Sequence, residues 1–307
     1  MIGAGVAWPV LVRAQKRLVV GVLVPANPEP FFGVLKRNLH KRGYAEGPNL
    51  RLELRSADGK PDRLAGLAAE LVAMKVDVLV AHQTPAATAA KRATTEIPIV
   101  MLSGDPLATG LISSLARPGG NVTGVSATTA ALGGKTMELI RELMPSAKRA
   151  AILANAADPF TRTFLQQLEE AAPALEFTTR AISVQGPGRF QDAFDDFVKW
   201  RADALIVQPS LPRAPLVLLA LKHRLAAISP TPLFPEAGGL MSYAAANGPL
   251  YDQVAAYVER VFKGAKPGEL PVHQPNTFEL VINLKTARAL GLSVPRSLLL
   301  RADKVIE

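Results

Sequence analysis

The sequence predicts an α/β protein built as two lobes around parallel sheets, and three observations predict it. The chain has 307 residues, too many for one hydrophobic core and natural for two. Short continuous apolar runs, as in parallel strands buried on both faces, alternate with amphipathic helical stretches. The alternation restarts after Gly119-Gly120-Asn121. Two consecutive βαβ series imply two doubly wound parallel sheets.

The elements follow in order. Residues 18–24 form the first buried strand, a Pro- and Asn-rich turn follows over 25–30, and a helix over 31–42 stops at Gly43. Residues 50–55 alternate like a strand near a sheet edge. A helix over 61–74 puts Leu64, Leu67, Ala68, Leu71 and Val72 on one face. Residues 76–81 make a buried strand, Pro85 opens a helix, and 97–102 add a strand. In the second series, helices are expected over 136–144, 159–172, 190–200 and 212–226, with strands over 150–154, 176–183 and 204–208. Short strands are expected over 231–234 and 240–243. An amphipathic helix over 250–262 should pack back on the first lobe, and the last ordered element, 280–289, should return to the second.

Composition narrows the function classes. Lys and Arg number 35 against 26 Asp and Glu, a net charge of +9, but this charge is spread along helix faces. Aromatic residues are 6% of the chain and do not alternate with basic ones as a base-stacking platform requires, so no nucleic-acid partner is expected. No cysteine is present, which excludes disulfides and thiolate metal sites. Residues 2–12 are an apolar run, and Val12 and Ala14 stand at the −3 and −1 positions of a signal-peptidase site. No basic segment precedes the run, so residues 1–16 read as a signal-peptide remnant or as an ordinary apolar N-terminus. No other segment reaches the roughly 18 consecutive apolar residues of a membrane span.

In open parallel sheets a ligand binds beyond the carboxyl ends of the strands. Here those ends carry Pro25-Ala26-Asn27, His82-Gln83-Thr84-Pro85, Ser103-Gly104-Asp105-Pro106, Asn155-Ala156-Ala157-Asp158, Gln208-Pro209-Ser210, Phe234-Pro235-Glu236 and Ser242-Tyr243. Most are small, polar or proline-containing and precede a helix, whose free N–H groups suit a carboxylate. The same residues also serve as helix caps; Thr84 and Asp158 are ordinary N-cap types. His82, the only histidine at a strand end, could hydrogen-bond a ligand or act as a base. Asp105 could hold an amine or cap a turn, and Tyr243 offers a ring face and a hydroxyl. His40, His223 and His273 show no metal-ligand spacing. There is no nucleophile elbow, Walker loop or G-x-G-x-x-G after the first strand, so neither a catalytic constellation nor a dinucleotide cofactor is indicated. Asp192, Asp195 and Asp196 read as a solvated helix face, and Asn121-Val122-Thr123 as an incidental match to a glycosylation pattern.

Several motifs carry a resemblance. Thr84-Pro85-Ala86-Ala87, Ile97-Pro98-Ile99-Val100, Asp105-Pro106, Arg117-Pro118-Gly119-Gly120-Asn121-Val122-Thr123-Gly124 and Glu279-Leu280-Val281-Ile282-Asn283-Leu284-Lys285-Thr286-Ala287 resemble, in that order, the substrate-binding proteins of ABC importers. The branch includes tryptophan- and tyrosine-binding members. The resemblance implies the periplasmic binding protein type I fold, two Rossmann-like lobes joined by a three-segment hinge: 17–122 with 247–275, and 123–246 with 276–307. It implies that Thr84 and Pro85 lie where a helix offers amides to a ligand carboxylate. Asp105 would share that wall, with Asn155, Ser210 and Glu236 facing them. Strand ends and resemblance together nominate Asn27, His82, Thr84, Pro85, Ala86, Asp105, Asn155, Ser210, Phe234, Glu236 and Tyr243 as ligand-binding. Around Pro209-Ser210-Leu211-Pro212 the chain departs from the amino-acid binders, which carry an acidic or amide residue there. An amino acid and an aromatic or other organic carboxylate are thus equal candidates. The expected protein is a monomeric, exported, periplasmic solute-binding protein without cofactor or metal, partnered by the membrane subunits of an ABC permease. A ligand-sensing module, or an enzyme using His82 or Asp105 as acid or base, are the alternatives.

Overall fold

The computed structural model describes residues 17–127 and 132–307; the expected signal-peptide remnant lies outside the described residues. The first series runs β1 (Leu18–Val24), α1 (Phe31–Lys41), β2 (Leu50–Ser56), α2 (Arg63–Ala73), β3 (Val78–His82), α3 (Thr84–Ala93), β4 (Ile99–Ser103) and β5 (Val122–Ser126). The second runs α4 (Gly133–Leu143), β6 (Arg149–Asn155), α5 (Thr161–Ala171), β7 (Thr178–Val184), α6 (Phe190–Lys199), β8 (Ala204–Val207), α7 (Arg213–Lys222), β9 (Ala226–Ile228), α8 (Leu233–Glu236) and β10 (Met241–Ala245). Then come α9 (Asn247–Phe262), β11 (Phe278–Asn283), α10 (Leu284–Leu290), α11 (Arg296–Arg301) and β12 (Lys304–Ile306).

The strands form two sheets, ordered β2-β1-β3-β4-β5 and β12-β11-β10-β9-β8-β6-β7. All pairings are parallel except β10 with β11. The α/β architecture with two mostly parallel sheets is therefore the one expected. Each sheet places its first strand between its second and third, so each has a switch point beside that strand: β1/β3 in one, β6/β8 in the other. Turns leaving neighbouring strands in opposite directions open a crevice at such a point.

Helices cover both faces of each sheet. In α1, Phe31, Leu35 and Leu39 fall four residues apart on one stripe and are buried. In α6 that stripe is Phe190, Ala193, Phe194 and Phe197, and each fully buried Phe contributes about 1.5–3 kcal/mol. The return helix α9 packs Leu250, Tyr251, Val254 and Val258 into the same core as α1 and the first sheet. Arg42 of α1 donates two hydrogen bonds to Asp252 of α9, at 2.9 and 2.8 Å. Because Asp252 is half exposed, the pair contributes about 1 kcal/mol or less.

Three local expectations need correction. Residues 122–126 form a strand hydrogen-bonded to β4, so the first sheet extends past 122, where the sequence pattern divides the lobes. The strand expected over 231–234 is absent: α8 starts at Leu233, and the sheet strand is Ala226–Ile228, whose first residue is expected by sequence to end the helix over 212–226. Alanine's helix propensity hides that strand, and a Ser-Pro-Thr-Pro turn separates it from α8. Residues 280–289 are two elements, an antiparallel strand and a helix capped by Asn283, whose side chain accepts from the Thr286 amide.

Candidate functional site

The carboxyl-end turns of the two sheets converge on one cleft. From the first sheet come His82, Gln83 and Thr84 after β3, and Ser103 and Gly104 after β4. From the second come Asp158 and Phe160 after β6, Gln208 to Ser210 and Arg213 after β8, and Pro230 to Leu233 after β9. The crossover out of β10 and the start of α9 add Ala244, Ala245, Asn247, Leu250 and Tyr251. A second chamber opens beside the first, past Asn27, Glu29 and Phe31, and shares His82, Gln83, Ser210, Arg213 and Tyr251. Their volumes are about 90 and 220 Å³, so the two joined reach the lower end, about 300 Å³, of small-molecule sites.

Three aromatic rings hold the first-sheet wall. His82 stacks on Phe31 with ring centres 4.2 Å apart and planes 10° apart, while Tyr251 meets Phe31 edge-on at 5.1 Å. Burial first, and the Arg213 charge second, push His82 down to about 3, so the ring is neutral at pH 7. Burial holds the Tyr251 hydroxyl well above the ordinary phenol range. Next to His82, Gln83 sits at φ 70°, a left-handed conformation uncommon outside glycine. Its Nε2 donates across the cleft to the Pro209 carbonyl at 3.3 Å. The helix that follows has no side-chain cap, leaving first-turn amides for a guest. Thr84 is buried, and its hydroxyl accepts from the Gly104 amide at 3.2 Å.

The opposite wall is a polar network. Asp158 accepts from the Phe160 amide at 2.9 Å and from Gln208 Nε2 at 2.9 Å. Gln208 Oε1 accepts from the Asn155 amide at 2.8 Å, and Asn155 Nδ2 donates to Ser210 Oγ at 3.3 Å. Burial lifts Asp158 to about 6, against the hydrogen bonds of Ser210, Phe160 and Gln208, which favour its ionised form. Arg213 opens α7 and is partly buried; that burial lowers its pKa, while Tyr251 and Glu236 act the other way.

Of the residues nominated from sequence, His82, Thr84 and Ser210 line the first chamber and Asn27 the second. Asn155 stands one hydrogen bond behind Ser210. The structure does not bring the others to either chamber. Ala86 and Phe234 are fully buried in helix–sheet cores. Pro85 lines a separate groove between α2 and α3. Asp105 caps its own turn, accepting from the amides of Leu107 and Ala108 at 3.1 and 3.0 Å. Glu236 pairs with Lys304 at 2.7 Å, and Tyr243 lies against Phe278. The glycosylation-like Asn121 spends its side-chain amide on the carbonyls of Thr94 and Ile97.

Sequence reasoning did not nominate Gln83, Asp158, Phe160, Gln208, Arg213 or Tyr251. Gln83, Asp158 and Gln208 lie in turns already singled out. Arg213 carries a legible signal, a cation in the first turn of a helix, where the helix dipole opposes it. Phe160 and Tyr251 read only as apolar helix positions. Among the described residues no group of three or more His, Cys, Asp or Glu could hold a metal ion. No helix among them is long and apolar enough to cross a membrane.

Two α/β bodies of matching topology, with their switch points turned toward one small-molecule cleft, define a binding protein of the periplasmic type I fold. The chain belongs to the family described as ABC transporter substrate binding protein, matched over residues 22–306, whose function is to capture a ligand for ABC transport. It is 26% identical over 287 residues to a tyrosine-binding protein of Clostridioides difficile, covering 91% of this chain and 82% of that one. A conserved domain protein from Vibrio cholerae superposes with a TM-score of 0.87 at 26% identity, over 94% of this chain and 100% of that one. An ABC domain from Streptococcus pneumonia, solved in complex with L-Trp, superposes with a TM-score of 0.86 at 26% identity, over 95% and 100%.

Proposed function

We propose that this chain is the exported, periplasmic solute-binding component of an ABC importer, holding a small organic carboxylate, amino-acid-like or aromatic, between its lobes. The lobes in this reading are residues 17–127 with 247–275, and 132–246 with 276–307. The chain acts as a monomer, takes no part in bond-making, and hands its ligand to the membrane subunits of a permease. The observation that carries the reading is the convergence of strand-end turns from both sheets on one cleft, with uncapped α3 amides on one wall and Arg213 on the other. The tyrosine-binding relative and the L-Trp complex of the similar fold support an aromatic amino acid or related acid as guest.

Isothermal titration with L-tryptophan, L-tyrosine and benzoate, followed by mass-spectrometric recovery of each compound, tests it. The expected result is saturable binding of at least one compound at one per chain, with that compound recovered intact. Conversion of a bound compound to a product would make the protein an enzyme and sink the reading.

A further inference from the structure

We infer that Arg213 is the residue by which this cleft recognises its ligand, and that the ligand presents a single carboxylate to it. The inference rests on the solute-binding reading and deepens it.

Arg213 lines both chambers. A guanidinium carries five donors in a planar fork suited to a carboxylate and stays charged when partly buried. Among the described residues nothing accepts a hydrogen bond from Arg213 or forms an ion pair with it. The contrast with Arg42 and Arg141 is sharp: Arg42 is paired with Asp252, and Arg141 donates to backbone carbonyls. Arg213 also opens α7, a ten-residue helix with no acidic residue in its first turn. There the helix dipole repels a cation. Desolvation and the dipole act against the folded state; no hydrogen bond or ion pair offsets them, and only the coulombic pull of Tyr251 and Glu236 acts the other way. A group held at such cost in a cleft marks a functional site.

The neighbouring charges define the anion. His82 is kept neutral by burial, so among the described lining residues Arg213 is the one cationic side chain, and Asp158 is the one acid in the first chamber. A dianion such as a phosphate monoester would leave a net charge in the closed cleft. A monocarboxylate balances Arg213, and an amine on the same molecule would balance Asp158. The carboxylate anchor thus lies on the second-sheet wall, across the cleft from the α3 amides.

The test compares the wild-type chain with R213Q, using L-tryptophan, L-tyrosine and benzoate, each beside its primary amide, and glucose and adenine as controls. At least one acid is expected to bind the wild type, with its amide and the R213Q variant each weaker by about 100-fold, the loss typical of an unpaired buried charge partner. A second readout needs no ligand: without any added compound, R213Q should unfold at the same temperature as the wild type or higher, because a desolvated cation without a hydrogen-bond or ion-pair partner has been removed. Equal affinity of R213Q and wild type for an acid, equal affinity for acid and amide, or a lower melting temperature of ligand-free R213Q would overturn the inference. Binding of glucose or adenine with none of the acids would overturn the carboxylate assignment and leave the solute-binding reading standing. Binding of nothing in the panel would count against that reading itself.

Discussion

Asp158 shows how the cleft sets the chemistry of a single side chain. Burial raises its carboxyl from the ordinary 3.8 to about 6, so the folded protein holds that proton more tightly than the unfolded chain. Its contribution to stability is therefore fully present below about pH 4 and is lost as pH rises to about 6. A shift of about two units corresponds to about 3 kcal/mol. Relative to the wild type, D158N should gain about 3 kcal/mol of stability between pH 4 and pH 7, read from urea unfolding at each pH. Parallel pH profiles would show that Asp158 titrates as it does in the unfolded chain. At this scale the site was half legible. A strand end tells which residues leave the sheet, and that suffices for Asn27, His82, Thr84 and Ser210. It does not tell which way each side chain turns, so Phe234 and Ala86 point into cores and Asp105 turns back on its own loop. Phe160 was invisible as a site residue because by sequence it reads as an apolar helix position; in the fold it lines the cleft and lies against Gly104.

At the scale of elements, strands and helices were recognisable wherever apolar periodicity and stop signals agree. They failed where one outvoted the other. The run Leu225-Ala226-Ala227-Ile228 is too short and alanine-rich to announce a strand, yet pairing with β8 and β10 makes it one. The strand β5 was hidden by Gly124, which reads as a breaker. In the fold that glycine is what lets β5 lie against β4. Its φ is 133°, and a Cβ there would meet the Met101 carbonyl oxygen at 2.2 Å. Gly124→Ala should thus cost about 3 kcal/mol or more, combining backbone strain with a backbone clash. Gly66 supplies the control: it lies on the exposed side of α2, and a Cβ added there would meet nothing within 4 Å. Gly66→Ala should stabilise by about 0.5–1 kcal/mol. Thermal unfolding of the two variants checks both, and a tolerated Gly124→Ala would contradict the tight β4–β5 register.

For the whole molecule, the restart of the βαβ alternation was enough to foresee two sheets. The routing of the chain was less legible, because antiparallel β11 and the β-bridge between Val125 and His273 leave no periodic mark. Among the described residues, contacts that span the cleft include the Gln83 amide on the Pro209 carbonyl, and the Phe160 ring against Gly104, where a Cβ would be only 3.0 Å from the ring. Both join the first sheet's turns to the second's, so they can exist only with the lobes together. A ligand touching both walls favours that arrangement by its differential affinity for it. The most direct test of a clamp that closes on its guest is small-angle X-ray scattering. Ligand-stripped protein is measured before and after saturation with the acid that calorimetry identifies. The radius of gyration should fall on saturation, and an Arg213→Gln chain at the same acid concentration should keep the larger value. An unchanged radius in the wild type, with binding saturated, would contradict closure of two lobes on a captured ligand.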